Sequence, residues 1–532
     1  MRTLFRNADF WSAGKEIFGA ILVENELIIA IGAQALSSQT NSAVDLDGAF
    51  VMPAFIDGHA HPIFGGREAA GPQINGLNSL DEILAEVKKF AENNPDAPWI
   101  IGGAYEAAII ESGDFDAHWL DSVVNDRPIV LHAVDHHTIW VNTKALERAE
   151  ITKQTPDPDG GTISRRDDGW PKGTFREPNA IALILNVAPK DSIQSDVDAI
   201  KRACKAYLEV GVTATMDSWV EKNMAKAFLL AAQEGDISIS MNLSFLVTPS
   251  NWIDKIDEVV DLRREFQALP NPDLVKANSI KFLLDGALSA GTAALIEPYL
   301  DRPESSGIRI WADDELIHAM CAFDIRKFQV HIHAIGDAAV KQALDAIEAM
   351  IFNNPPWDRR PVIVHAQLIA DEDIPRFEQL GVIANIQPLW CYLDPMNKEL
   401  ILPRIGQDRN DRQYRLRTLI ESGSMIAFGS DWPVTSEVPL LGLGVPVNRL
   451  KPGEQNAVGW NTSEAITMEE ALTFYTKNVA YQMFRENERG QLDVGMKADF
   501  IVLNKNPLTT DPSQVSNIEI QALYQNGTMI RR

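Results

Sequence analysis

Cysteine is scarce: Cys204, Cys321 and Cys391 are the only three in 532 residues, and they stand far apart. An odd number without C-x-x-C spacing provides neither a disulfide framework nor a zinc knuckle, and it suits a reducing compartment. Basic residues are also in deficit, 48 Lys and Arg against 74 Asp and Glu, for a formal net charge of −26. No basic run occurs. That argues against nucleic acid or an anionic membrane as partner, because a phosphate-binding surface needs clustered cations. No apolar run is long enough to span a bilayer. The opening Met1 to Asp9 carries Arg2 and Arg6 but lacks the continuous apolar core of a signal peptide. A cytoplasmic location is the expectation. Disorder is excluded by ample core material, 45% hydrophobic residues with 23% charged.

What is present has two textures. Residues 1–52 and 490–532 consist of short strand-like runs such as Ile21-Leu22-Val23, Leu27 to Ile31 and Asp499 to Leu503, with a hairpin signal at Asn526-Gly527. The first segment shows no obvious helix, and the two ends are expected to pair into one small β-domain. Ser79-Leu80-Asp81-Glu82 is a capping box that opens a helix with an apolar stripe at Leu80, Ile83, Leu84, Val87 and Phe90. A glycine-rich hairpin candidate follows at Asp159 to Ser164. From about residue 195 helices and strands alternate, the pattern of parallel βα units. Seven strands are predicted there: Val212–Met216, Ile239–Leu246, Ser279–Leu284, Phe328–His333, Val362–His365, Val382–Ile386 and Met425–Phe428. With the strand reaching His59 they number eight, enough to close a (β/α)8 barrel. The expected division is a barrel over 53–489, with a subdomain inserted at about 63–195 after the first strand.

Function in such a barrel sits where the strands end. His59 and His61 lie at i, i+2 and so point to one face of a strand, where they can grip one cation. Lys281 stands in an apolar run, His331 and His333 end the fifth strand, His365 ends the sixth, and Asp431 follows the eighth. Taken singly, each has an ordinary structural explanation: a hydrogen-bonded histidine, a capping aspartate, a lysine paired with Asp285. Together they place five of the ten histidines on strand ends. Imidazole and carboxylate suit Zn²⁺ and similar ions. Two ions about 3.5–4 Å apart need a bridging anion, and a lysine with a lowered pKa can supply one by reacting with carbon dioxide to give a carbamate.

These motifs resemble the metal-dependent amidohydrolases, in particular amidohydrolase family 3, the YtcJ-like branch that includes N-substituted formamide deformylase. The resemblance rests on Pro53 to Pro62, Lys281 to Gly286, His333-Ala334-Ile335-Gly336-Asp337-Ala338, His365-Ala366-Gln367, Gly429 to Val434, and Gly490 to Phe500. It implies an α/β fold, a TIM barrel with a β-sandwich-like domain built from both termini. It also implies two divalent ions, zinc with Mn²⁺ or Fe²⁺ as alternatives. His59, His61 and Asp431 would bind the more buried metal and His333 and His365 the second, with carbamylated Lys281 bridging; His331 would support the ligands from behind. The implied reaction is hydrolysis of a non-peptide C–N bond in a small linear amide, N-formyl or N-acyl amine by a metal-bridging hydroxide, with Asp431 as general base and then acid. A deaminase of cyclic amidine or purine-like rings and a catalytically silent ligand-binding relative are the alternatives. Ala54 stands where the family commonly has glycine, and His136 replaces the glycine of an Asp-Gly-His motif, making the adjacent His137 a substrate contact candidate. Glu177, Trp390 and Trp432 are further candidates for the pocket. A homo-oligomer is compatible with all of this.

Overall fold

In the computed structural model, residues 2–17, 19–110, 112–134, 138–158 and 161–531 are described. Eight parallel strands form the central sheet: β1 (Phe55–Ala60), β2 (Val212–Val220), β3 (Ser240–Leu246), β4 (Val275–Leu283), β5 (Gln329–Ala334), β6 (Val362–His365), β7 (Ile383–Ile386) and β8 (Met425–Phe428). They are hydrogen-bonded in sequence order from β1 to β8. Val362, Ile363 and Val364 are fully buried, as expected of strands covered on both faces. Helices such as Ile193–Glu209, Lys222–Glu234 and Asp337–Asn353 separate the strands and turn their apolar stripes inward; Val340, Leu344 and Ile347 are all buried.

The seam between β8 and β1 is closed by the residues just beyond the strands. The Asp431 N–H donates to the His59 carbonyl at 2.8 Å, and the His61 N–H donates to the Trp432 carbonyl at 2.7 Å. Asp57, buried in β1, accepts from the Ser430 N–H at 2.9 Å, from its hydroxyl at 2.5 Å and from the Tyr207 hydroxyl at 3.2 Å. The bonds that complete the barrel are thus the ones that set His59, His61 and Asp431 side by side.

Strands from the two chain ends pair as the sequence texture predicts. Phe50–Pro53 runs antiparallel to Phe500–Leu503 within a six-stranded sheet. A second sheet of four is built from Arg2–Arg6, Ala20–Glu24, Leu27–Ile31 and Ser42–Asp45, with Ile21, Leu22 and Val23 buried. Phe5 of the smaller sheet meets Phe500 and Tyr524 of the larger, each with ring centroids 5.0 Å away. Asn526 and Gly527, both at positive φ, turn Ile520–Gln525 into Thr528–Arg531. One helix was not expected here, Gly32–Ser37, in which Ala33, Gln34, Ala35 and Leu36 are good helix formers.

Between β1 and β2 lies a five-stranded sheet in the order Thr162–Arg165, Pro171–Arg176, Thr138–Val141, Ile129–Ala133, Ile100–Tyr105. The helix predicted after Ser79 spans Leu80–Asn93, but its capping is shifted: Ser79 accepts from the Glu82 N–H, whereas Glu82 reaches back to the N–H of Asn78. Asp159 and Gly160 of the predicted hairpin lie outside the described residues. No helix among the described residues is long and apolar enough to cross a membrane.

Helix Pro62–Glu68 leaves β1 directly after His61 and packs on Ile193–Glu209 through Gly66. A Cβ on Gly66 would meet the Ala199 carbonyl well inside van der Waals contact, backbone against backbone. Gly66→Ala is therefore expected to destabilise the fold by about 1–3 kcal/mol, seen as a lowered thermal midpoint; an unchanged midpoint would contradict this packing.

Candidate metal centre

Six residues predicted from strand ends come from five strands to one end of the barrel. His59 belongs to β1 and His61 follows it, Lys281 is in β4, His333 in β5 and His365 closes β6, while Asp431 lies just past β8. Parallel register sets Leu283 beside His333 and Ala334 beside His365. His365 and Asp431 have left-handed backbones, φ 72° and 59°. Non-glycine residues adopt this region uncommonly, although aspartate and histidine do so more often than most, and such strain, on the order of 1–3 kcal/mol, collects at functional sites.

The Asp431 Oδ1 atom lies 3.1 Å from Nε2 of His59 and 3.1 Å from Nε2 of His61. One ligand atom each from His59, His365 and Asp431 falls within 4.8 Å of the others, and all three residues are buried. The His59–His365 ring centroids are 5.2 Å apart and those of His333–His365 4.7 Å. The His59 Nε2 atom is buried and, although near the carboxylate, has no aligned hydrogen bond. A buried ring nitrogen left over beside a carboxylate oxygen and a second imidazole is a donor set that a divalent cation fits.

The far sides of these rings are held. The Nδ1 atom of His59 meets Nε2 of His331 at 2.8 Å, with the two ring planes nearly parallel, and the same Nε2 is 3.3 Å from the Ser218 hydroxyl. Nε2 of His333 faces the Gly286 carbonyl at 3.3 Å and Oδ1 of Asp285 at 3.5 Å. Asp285 is otherwise engaged by the N–H groups of Ala294, Ile335 and Gly336, so the loop after β4 and the end of β5 are tied together beneath His333. Asp285 thus sits in a backbone cradle rather than in the lysine pairing that was one explanation for Lys281.

Electrostatics keep the ligand candidates in binding form. Burial, with the Lys281 charge next, holds His59 and His331 well below the usual imidazole range. Burial followed by His365 does the same for His333, and burial brings His365 to about 4. These imidazoles are neutral at neutral pH, the form that offers a lone pair. Burial alone would raise the Asp431 carboxyl, but the His59 and His61 imidazoles against it prevail and hold it well below the usual carboxylate range. Burial lowers the Lys281 amine to about 7, against an upward pull from Asp431.

The pocket candidates fare differently. Trp390 stacks face to face on His365, centroids 5.4 Å apart and planes within 4°. Trp432 is buried against Tyr207, centroids 5.3 Å apart, and roofs Gly65, a packing position in the core. Glu177 is half-buried at the start of helix Pro178–Leu185, with φ 69°. His137 lies outside the described residues. Sequence reasoning passed over Gln387, whose Oε1 is 2.8 Å from Nδ1 of His365. The signal it offered was polar residues, Asn385 and Gln387, alternating through an otherwise apolar strand end.

An eight-stranded parallel barrel that carries imidazoles, a carboxylate and a lysine at its strand ends has the layout of a barrel enzyme, with its chemistry at the C-terminal face of the sheet. A family model described as the amidohydrolase family matches residues 42–531. The chain belongs to the amidohydrolase family. It is 32% identical over 522 residues to the putative amidohydrolase YtcJ of Bacillus subtilis (strain 168), covering 96% of this chain and 95% of that protein. It is also similar to N-substituted formamide deformylase of Arthrobacter pascens, 23% identical over 534 residues, 96% and 94% of the two chains. Among solved structures, an uncharacterized metal-dependent hydrolase from Pyrococcus furiosus superposes with a TM-score of 0.74 at 25% identity, covering 96% of this chain and all of that one.

Proposed function

We propose that this chain hydrolyses a non-peptide C–N bond in a small linear amide, an N-formyl or N-acyl amine. The observation that carries the reading is the Asp431 carboxylate oxygen set 3.1 Å from two imidazole nitrogens, one of them buried without an aligned partner. The similarity to a formamide deformylase over nearly the whole chain supports the bond type. In this reading His59, His61 and Asp431 would hold one divalent cation and His333 and His365 a second, and Lys281, as a carbamate, would add an anionic ligand; zinc suits the donor set, as do manganese and iron. Such ions supply Lewis acidity, polarising a carbonyl oxygen and bringing the pKa of water to about 7.

The protein's own groups do the rest. Asp431, ionised at neutral pH, accepts a proton from water at its carboxylate and returns it to the departing nitrogen. Trp390 offers an aromatic wall beside His365. The expected partner is a small molecule. Turnover on a panel of N-formyl amines, N-acyl amines and cyclic amidines tests the reading. Activity on the linear amides should vanish with chelator and return with zinc or manganese. Activity confined to the cyclic amidines, or undiminished after metal removal, would overturn it.

A further inference from the structure

Asn385 in β7, Gln387 one residue beyond it and Gln482 at the end of helix Lys477–Gln482 are all fully buried. Their side-chain amides form one chain. The Nε2 of Gln482 donates to the Gly58 carbonyl at 2.6 Å, and Oε1 of the same amide accepts from Nδ2 of Asn385 at 2.8 Å. The Oδ1 of Asn385 accepts from Nε2 of Gln387 at 3.3 Å, which leaves Oε1 of Gln387 facing Nδ1 of His365 at 2.8 Å.

The direction of this chain follows from its far end. A backbone carbonyl can only accept, so the Gln482 amide must present its N–H₂ to Gly58 and its oxygen to Asn385. Each further amide is then oriented in turn, because reversing one would set oxygen against oxygen or N–H against N–H in a buried site. Gln387 is left with an oxygen for His365.

We propose that Gln482, Asn385 and Gln387 are positioning residues that hold His365 as its Nδ1–H tautomer, so that Nε2 carries the lone pair; the inference rests on the metal-centre reading only for what that lone pair binds. A Cβ on Gly58 would come within 2.5 Å of Nδ2 of Asn385 and 2.7 Å of the Phe428 carbonyl. A Cβ on Gly429 would meet the His59 backbone nitrogen first, at 2.6 Å, and Oδ1 of Asn385 at 3.0 Å. Gly58 thus makes room for the buried amide, and Gly429 chiefly for His59. Trp390, in the turn that Gln387 begins, covers the face of the same imidazole, so His365 is fixed both at its edge and on its face.

The tautomer can be read without metal, by nitrogen NMR of the metal-free protein labelled with ¹⁵N-histidine, and zinc affinity can be measured separately by competition with a chromophoric chelator. In the wild type His365 should be the Nδ1–H form. Gln482→Leu removes the anchor and should give mixed tautomers and zinc affinity weakened about 10–100-fold. Gln482→Glu should keep the wild-type tautomer and affinity, since a carboxylic acid still donates to Gly58 and accepts from Asn385. Where Gln482→Leu does not fold, Gln387→Met against Gln387→Glu makes the same comparison, only the second retaining an acceptor for His365. An Nε2–H form in the wild type, or wild-type tautomer and affinity in folded Gln482→Leu or Gln387→Met, would overturn the relay. The Nδ1–H form in a wild type that binds no zinc would sustain the relay and overturn the metal-centre reading instead.

Discussion

Asp431→Asn is expected to lower kcat on an N-formyl or N-acyl amine by about 10²–10⁴-fold, the usual contribution of a positioned general acid–base. The substitution keeps the shape of the side chain and removes both its charge and its ability to take up a proton. In the wild type the two imidazoles beside Asp431 hold its carboxyl well below the usual range despite burial, so it is ionised at neutral pH. Its Oδ1 is also the atom equidistant, at 3.1 Å, from His59 and His61, so the amide disturbs cation binding as well. Metal analysis separates the two effects. A variant with full metal content and low kcat has lost the proton acceptor, whereas one with reduced metal has lost a ligand. Wild-type kcat with wild-type metal would remove Asp431 from the mechanism.

The second large effect concerns Lys281. Burial brings its amine to about 7. An ammonium cannot attack carbon dioxide but a free amine can, forming a carbamate and releasing a proton. The free-amine fraction grows as pH rises through about 7, so reactivation of metal-stripped protein by zinc at a fixed concentration of dissolved carbon dioxide should be slow near pH 6, faster near pH 8 and level above it. Buffer freed of carbon dioxide should abolish the reactivation. Lys281→Ala and Lys281→Arg should both lose activity, on the order of 10²–10³-fold, since without the proposed carbamate the centre would forfeit several kcal/mol of metal-assisted stabilisation. Full activity of Lys281→Arg, which keeps the cation but forms no such carbamate, would exclude the role.

The barrel was legible because its strands are short apolar runs, rich in β-branched residues and separated by helical stripes, and each of the eight predicted strands overlaps an observed one. The ligand candidates were legible because titratable groups are conspicuous at the ends of such runs. Uncharged amides are not, and so Asn385, Gln387 and Gln482 passed unnoticed; Gln482 lies 97 residues from Asn385 in the chain and meets it only through folding. His331 was expected behind the ligands, but that His59 is its partner, 272 residues away in the chain, was set only by folding. Trp432 adjoins Asp431 in sequence and looked like a pocket residue, but the backbone turn at Asp431 sends the indole toward Tyr207 and Gly65. Nothing local marked His365 for a left-handed backbone, since a position of that kind usually signals glycine or asparagine.

By itself the amino-acid sequence determined the eight barrel strands, the pairing tendency of the two chain ends, and which side chains have the chemistry to hold a metal. Those properties depend on local periodicity and on the chemistry of single residues. Only the tertiary structure decided which nitrogen of each histidine faces its neighbour, how close the Asp431 oxygen stands to His59 and His61, and which direction the buried amides run. Those are distances and hydrogen-bond directions between residues far apart in the chain, set when closure of the barrel brings β8 against β1.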